Sequence, residues 1–340
     1  MNLRWEKLRR KMEEENLDAF LITKEADIFY FSGIWTKGCV LFTNDDRFII
    51  TTPMYREESL RGDWEVIIRE DTLEDILGKL SQKVKIRRCG FEASNLPFDQ
   101  YQKISVKFKG QLIPQTSFTQ KIRAKKEDSE IEFLTKACKL TLQALDYIKE
   151  ILQPGISEKQ VVGEAIKYLL KEADGFSFFP IVLFGERTSL PHGSCSSRSL
   201  KKGDLVLVDI GAKFNGYCAD LTRTFIWGEN TKWEEIKALV QEIQQKAIQS
   251  ITPGEKCSQI DGRVREKFEK AGFKDNLLHG TGHGVGLEIH EYPSLTRNSD
   301  DVLEEKMIIT VEPGVYFPGK GGIRLEEMVL ITNEGGKVLP

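Results

Sequence analysis

Four histidines and a set of acidic residues crowd one stretch of this chain, between His192 and Glu326. Asp209 ends the apolar run Leu205-Val206-Leu207-Val208, and Asp220 follows it after an Asn215-Gly216 pair. Asn-Gly between two β-prone runs, 204–213 and 217–227, signals a two-residue hairpin. With Phe214 facing Tyr217, Asp209 lies opposite Thr222, and Asp220 is its diagonal neighbour on the same face. Two carboxylates on one face of a buried hairpin repel each other unless they are protonated or bridged by cations. The alternative has Asp209 capping the strand end and Asp220 paired with Arg223. It suits a single aspartate better than a coplanar pair.

Downstream, Glu312 ends the strand-like Ile308-Ile309-Thr310-Val311, and Glu326 lies in Gly322-Ile323-Arg324-Leu325-Glu326-Glu327. A loop rich in glycine and proline, 316–322, joins the two and echoes the first hairpin. Upstream of them comes His279-Gly-Thr-Gly-His283-Gly-Val-Gly-Leu-Glu-Ile-His290. So many glycines make a helix improbable there, so this is no helical HExxH zinc site; it predicts backbone packed tightly beside a site. Two aspartates, two glutamates and an imidazole suit a pair of divalent ions of the Mn²⁺, Fe²⁺, Co²⁺ or Zn²⁺ kind. Two such ions about 3.5–4 Å apart can activate a water and clamp a tetrahedral oxyanion, and the remaining histidines would then orient substrate and stabilise or protonate the intermediate.

Elements of the right kind surround these residues. Ile131, Leu134, Cys138, Leu142, Leu145, Ile148 and Leu152 recur at helical spacing until Pro154-Gly155, and Ser157-Glu158-Lys159-Gln160 opens a second helix with a capping box. Helix, Pro-Gly, helix and Gly-Phe return at 233–250, Pro253-Gly254 and Gly272-Phe273. The strand ending Asp209-Ile-Gly211 is echoed by the one ending Glu312-Pro-Gly314, and His192 by His290. The sequence therefore predicts a duplicated helix–helix–strand unit with a site on the pseudo-twofold between its halves. The first 120 or so residues alternate strands (19–22, 39–42, 48–51, 64–68, 86–91, 111–113) with helices (5–16, 53–61, 72–80, 98–107). This predicts a small α/β domain with no chemical motif. The charged run Lys121–Asp128 marks a boundary, giving domains 1–122 and 123–340.

Composition narrows the function. Among 340 residues, 49 are basic and 52 acidic, a net charge of −3. No block of like charge supports a nucleic-acid or membrane-surface partner. Apolar runs are only strand-length, too short for a membrane span, and the polar start offers no secretory segment. Six cysteines without CxxC spacing (39, 89, 138, 195, 218, 257) predict free thiols in a cytoplasmic protein.

Over roughly residues 125–335 the chain resembles the pita-bread metallopeptidases, the group holding methionine aminopeptidase, aminopeptidase P and prolidase. Pro191-His192-Gly193, Asp209-Ile-Gly-Ala, Asp220-Leu-Thr-Arg-Thr, the 279–290 histidine segment followed by Glu291, Thr310-Val-Glu-Pro-Gly-Val-Tyr316 and Gly-Ile-Arg324-Leu-Glu326 stand in the expected order. The resemblance implies an α/β fold of the α+β kind: a pita-bread catalytic domain with an internal pseudo-twofold, preceded by a smaller creatinase/prolidase-type α/β domain. It implies that Asp209, Asp220, His283, Glu312 and Glu326 hold two divalent ions per subunit, Mn²⁺ or Co²⁺ ahead of Zn²⁺ or Fe²⁺. Glu312 would also accept a proton, and His192, His279 and His290 would complete the catalytic set. His192 and His290 would face substrate, with Tyr316 and Arg324 on the substrate side or behind the ligands. The N-terminal region points to the proline-specific branch: an Xaa-Pro aminopeptidase or dipeptidase, by analogy a homodimer, acting on peptides with proline second. Trp35 and the 33–38 loop are candidates for setting the substrate length. A pita-bread aminopeptidase without proline preference and a non-catalytic peptide-binding relative are the alternatives. Two departures stand out: Glu327 where aspartate is usual, and Glu186-Arg187 before the His192 loop, where smaller residues are common.

Overall fold

The structure, a computed structural model, describes residues 3–60 and 64–340. The chain divides into two compact units, Met1–Arg123 and Ala124–Pro340.

The N-terminal unit is built on a six-stranded mixed sheet. Its strand order is Glu65–Ile68, Arg47–Thr51, Gly38–Thr43, Ala19–Ile22, Arg88–Glu92, Gln111–Gln115. Ala19–Ile22 is buried along its whole length, as expected of a central strand covered on both faces. The predicted hairpin across Asn44-Asp45-Asp46 forms, with Val40 opposite Ile49. The predicted 53–61 helix is instead a short 3₁₀ turn, Pro53–Tyr55, followed by Arg56–Ser59; residue 61 lies outside the described residues. Two helices carry no clear periodic signal. Glu25–Ser32 buries five of its eight residues and so shows no polar stripe. Phe118–Ala124 reaches into the charged run because Arg123 is itself buried, 2.6 Å from Asp27. Trp35 stacks on Phe29 with ring centroids 4.4 Å apart.

The second unit shows the duplication in its backbone. Helices Asp128–Ile151 and Glu158–Leu169 lead into the strands Ile181–Phe184, Leu205–Ile210 and Leu221–Ile226. Helices Thr231–Gln249 and Cys257–Lys270 lead into a five-stranded sheet containing Gly282–Gly284, Ile308–Val311 and Glu327–Thr332. Both Pro-Gly turns are fastened identically. Gly155 N–H donates to Leu200 O and Gly254 N–H to Leu303 O, while Ser157 bridges Ser199 and Lys256 bridges Val302. The spacing that relates these contacts is the spacing of the sequence repeat.

Each half carries one long interrupted hairpin. In the first, Asn215 and Gly216 take φ of 47° and 82°, the left-handed conformations a tight turn requires. Phe214 faces Tyr217 and Asp209 faces Thr222, as the sequence predicts. The ladder breaks at Gly211, where Ala219 O approaches so closely that a Cβ would lie 1.8 Å from it. In the second hairpin Thr310 faces Met328 and Val311 faces Glu327; beyond a break, Gly314 faces Arg324 in the same register. Both breaks fall beside acidic residues, which frees those side chains from flat strand geometry.

Gly211→Ala is therefore expected to lower unfolding free energy on the order of 3 kcal/mol, since a backbone carbonyl must move to admit the methyl group. Urea denaturation checks this; a variant within 0.5 kcal/mol or so of wild type would show that the contact yields freely.

Candidate active site

The breaks in the two hairpins bring the acidic residues together. Asp209 comes from the end of Leu205–Ile210, Asp220 from the residue before Leu221–Ile226, Glu312 from just after Ile308–Val311 and Glu326 from just before Glu327–Thr332. Ligand-type atoms of Asp220, His283 and Glu326 all lie within 4.8 Å of one another. Asp209, Asp220 and Glu326 are buried and Glu312 nearly so. Four carboxylates thus face a single guanidinium, Arg324, which donates to Asp209 Oδ2 at 2.5 Å.

The electrostatic consequence is plain. Burial, then the charge of Glu326, raises the Asp220 carboxyl well above its usual range. Glu326 is raised by burial and then by Glu312. Burial lifts Glu312 to about 7 against the pull of Arg324. Fully ionised, these four acids would carry more negative charge than Arg324 can balance, so without a further cation they hold on to protons.

The histidines show which nitrogens are free. His283 Nδ1 lies 3.0 Å from Gly284 O, so Nδ1 carries the hydrogen and donates it. Burial holds this ring neutral, lowering it to about 4. Its Nε2 lone pair therefore faces Glu312 Oε1 at 3.4 Å and Asp220 Oδ2 at 3.6 Å. Lone pairs aimed at carboxylate oxygens repel unless a proton or cation lies between them. Asp209 Oδ1 is buried and has no hydrogen-bond partner. A neutral imidazole nitrogen, an orphaned carboxylate oxygen and three further acids converging on one space fit a divalent metal by donor chemistry, and the Nδ1–H bond to backbone supplies the orientation such a ligand needs.

A second chain of hydrogen bonds stands behind the acids. Arg324 Nη1 donates to Tyr316 Oη at 2.8 Å, and Tyr316 Oη lies 2.8 Å from His279 Nε2. His279 Nδ1 lies 2.8 Å from Gly280 O. The one consistent assignment gives Nδ1 the hydrogen and lets Nε2 accept from the tyrosine hydroxyl. Burial agrees with it, lowering His279 to about 4 and raising Tyr316 to about 12. Arg324 also donates to Thr222 Oγ1 and to Pro191 O, and Thr222 Oγ1 donates to Glu326 at 2.7 Å.

The expected substrate-side residues divide into two kinds. His192 and His290 are exposed, whereas Tyr316 and Arg324 are buried with their polar atoms engaged by protein. The His290 ring packs edge-on against His283 at 4.3 Å, and His192 and His279 line an open pocket of about 420 Å³ with Leu190 and Leu278. The alternative of a strand-capping Asp209 and an Asp220–Arg223 pair is not what forms: Asp209 meets Arg324 instead. Arg223 pairs with Glu327 at 2.9 Å, not with Asp220, so the glutamate that departs from the expected aspartate reaches a specific partner.

Some contributors escaped sequence reasoning. Asp261 accepts from Thr281 N and Oγ1, while Arg265 bonds Asp261 and donates to His279 O, fixing the histidine segment from behind. In sequence Asp261 and Arg265 are an ordinary i, i+4 helix pair; only burial of the aspartate distinguishes them. Thr310 Oγ1 accepts from His283 N and donates to Glu312. The glycines of the segment allow close approach as predicted: a Cβ on Gly282 would lie 2.0 Å from Thr310 O.

Two hairpin-bearing halves closing on inward carboxylates define a pita-bread metallohydrolase site. The chain belongs to metallopeptidase family M24, whose model matches residues 132–333, and residues 4–125 match the creatinase/prolidase N-terminal domain. It is 33% identical over 344 residues to an Xaa-Pro dipeptidase of Pyrococcus furiosus, covering 100% of this chain and 98% of the relative. An Xaa-Pro dipeptidase structure from Bacillus anthracis superposes with a TM-score of 0.94 at 35% identity, covering 99% and 96% of the two chains. An X-Pro aminopeptidase structure from Thermotoga maritima gives 0.88 at 30% identity, covering 97% of each. The pita-bread fold and two-domain organisation expected from the sequence are thereby met, and the family is one of metal-dependent hydrolases.

The raised Glu312 gives a signed pH dependence for chelated protein. Its carboxyl is protonated in both states below its ordinary 4.5; between there and about 7 the unfolded chain has released that proton while the folded chain keeps it. Chelated wild type should therefore lose stability relative to Glu312→Gln across this interval, by up to about 1.4 kcal/mol per pH unit. Urea melts in chelator at pH 5, 6, 7 and 8 measure it, and parallel curves for the two proteins would refute the electrostatic account.

Proposed function

We propose that this chain is a dinuclear metal-dependent exopeptidase that hydrolyses the Xaa-Pro bond of dipeptides or of peptide N-termini. The observation that carries the proposal is the convergence of Asp209, Asp220, His283, Glu312 and Glu326 beneath the exposed His192 and His290. Full-length similarity to Xaa-Pro peptidases supports the same reading. In this proposal residues 123–340 perform the hydrolysis, and residues 1–122 help to select substrate in a cytoplasmic homodimer. No helix among the described residues is long and apolar enough to cross a membrane.

The five residues would hold two divalent ions, the four acids through carboxylate oxygens and His283 through its free Nε2. Mn²⁺ and Co²⁺ suit this oxygen-rich set best, and Zn²⁺ and Fe²⁺ are compatible with it. When bound, the ions supply Lewis acidity and lower the pKa of water toward neutrality. His192 and His290 orient the peptide, and His290 donates to the scissile carbonyl oxygen as negative charge develops there. Glu312 takes the proton that the attacking water releases. The prolyl nitrogen is tertiary in the peptide, so it leaves only as it gains a proton, which Glu312 returns as the C–N bond breaks. His279 lines the site 3.8 Å from Glu312 Oε2, and the Thr310 hydroxyl donates to the other oxygen of that carboxylate. Tyr316 and Arg324 act from behind, fixing His279 and Asp209.

Chelated protein should be inactive, and Mn²⁺ or Co²⁺ should restore cleavage of Gly-Pro well above that of Ala-Ala or Met-Ala. Asp220→Asn and His283→Ala should each bind fewer ions than wild type and lose more than about 100-fold in kcat/KM. Folded variants that keep full Xaa-Pro hydrolysis would sink the mechanism, and a wild type that binds peptide without turnover would indicate a binding protein.

The likeness to an X-Pro aminopeptidase supports a second reading, in which longer peptides are accepted. Comparing Xaa-Pro dipeptides with Xaa-Pro-Yaa tripeptides separates them: a dipeptidase would recognise the carboxylate of the proline itself, which a third residue removes, and should prefer the shorter substrate by at least ten-fold or so.

A further inference from the structure

The segment that carries His192 is tied across its neck by one buried carboxylate. Glu158, the first residue of helix Glu158–Leu169, is wholly buried. Its Oε1 accepts from Phe184 N at 2.9 Å, and its Oε2 accepts from Ser196 N and Ser196 Oγ, both at 2.7 Å. Arg187 Nε meets both oxygens, at 3.0 and 3.1 Å. Glu158 therefore grips the chain on both sides of His192.

Arg187 adds a second crossing. Its Nη2 donates to Ser194 O at 2.6 Å, so one guanidinium spans from the buried carboxylate to the far side of the loop. Inside that crossing the chain turns tightly: Leu190 N donates to Arg187 O and Gly193 N to Leu190 O. A Cβ on Gly193 would press on Leu183 and Leu190 at 2.9 and 3.0 Å. Pro191 O accepts from Arg324, the same guanidinium that holds Asp209. The loop is thus fixed at its neck by Arg187 and at its crest by Arg324, while the imidazole between them stays exposed. An exposed ring on a loop owes its position to the backbone beneath it, and a displacement of about 1 Å at such a site costs up to about 100-fold in rate.

We propose that Arg187 is a positioning residue for His192: locked on Glu158 and bridged to Ser194, it fixes the loop that presents the His192 imidazole to the peptide substrate. This rests on the Xaa-Pro peptidase reading for the role of His192, although the loop geometry stands without it. It also gives a purpose to the Glu186-Arg187 departure. Arg187 fits the role because its side chain is 28% exposed and lies on the loop rather than in the core. Lysine can replace it only in part, since an ammonium can pair with Glu158 but lacks the planar fork that reaches Glu158 and Ser194 together.

Two measurements test the proposal, kinetics on the metal-loaded protein and spectra on protein loaded with diamagnetic Zn²⁺. In Xaa-Pro assays Arg187→Met should raise KM roughly ten-fold with little change in kcat, and Arg187→Lys should fall between it and wild type. Because the effect passes through His192, Arg187→Met should add almost nothing in a His192→Gln background. Equal losses in both backgrounds would overturn the proposal. Independently of turnover, the chain has four histidines, so imidazole ¹H–¹⁵N spectra are readable and His192→Gln identifies its signal. Arg187→Met should shift or broaden that signal while leaving those of His279, His283 and His290 in place. An unchanged His192 signal, or general change in all four, would overturn it. A wild type inactive on Xaa-Pro substrates yet showing the selective change at His192 would sink the functional reading and leave the clasp intact.

Discussion

The constraint on which this structure turns is the mutual repulsion of four carboxylates in a space that excludes most water. Asp209, Asp220, Glu312 and Glu326 would separate if their backbones allowed it. Arg324 offsets one charge and spends its remaining hydrogen bonds on Thr222, Tyr316 and Pro191. The rest of the imbalance is held by geometry: two interrupted hairpins, broken beside the acids, whose strands are anchored too deeply to yield. The apolar stretches Leu205–Val208 and Ile308–Val311 are nearly inaccessible to solvent. Their burial fastens the acids at a distance they would not choose, and the result is affinity for cations.

Duplication explains how one small domain arranges this. Each half supplies a hairpin with a break, and hydrogen bonds stitch the halves along those breaks. Glu326 N donates to Thr222 O, and Thr224 Oγ1 donates to Arg324 O. A carboxylate of one half is therefore placed by backbone of the other, and neither half makes the site alone. The equivalent fastening of Gly155 and Gly254 keeps the helices in matching positions behind each hairpin.

Much of this was legible in the sequence because it depends on local rules. The Asn215-Gly216 turn set the register that puts Asp209 opposite Thr222, and register is a property of a few residues. Capping residues and Pro-Gly pairs set the helices Asp128–Ile151 and Glu158–Leu169, and the glycines around His283 announced close backbone contact. What stayed hidden is whatever depends on burial of groups that look exposed. Glu25–Ser32 is buried on too many sides to show a stripe, and Arg123 reads as a boundary residue although it is a core cation. Asp261 and Arg265 look like a surface pair. Tyr316 and Arg324 could be placed near the site from sequence, yet that they face inward is fixed only when Thr222, Pro191 and Asp209 meet them, and those contacts join residues a hundred positions apart.

His279 and His283 share a detail with wider reach. In each, Nδ1 is satisfied by the carbonyl of the very next residue, Gly280 or Gly284. The choice of tautomer is therefore already made within a dipeptide, and at His279 the Tyr316 hydroxyl reinforces it. An imidazole oriented by a distant carboxylate is hostage to every mutation that moves its partner. Here the instruction travels with the histidine, and surrounding side chains are free to diverge while the same nitrogen keeps facing the acids. The His-Gly pair is in this sense a portable unit of orientation, and it occurs twice within the six residues 279–284.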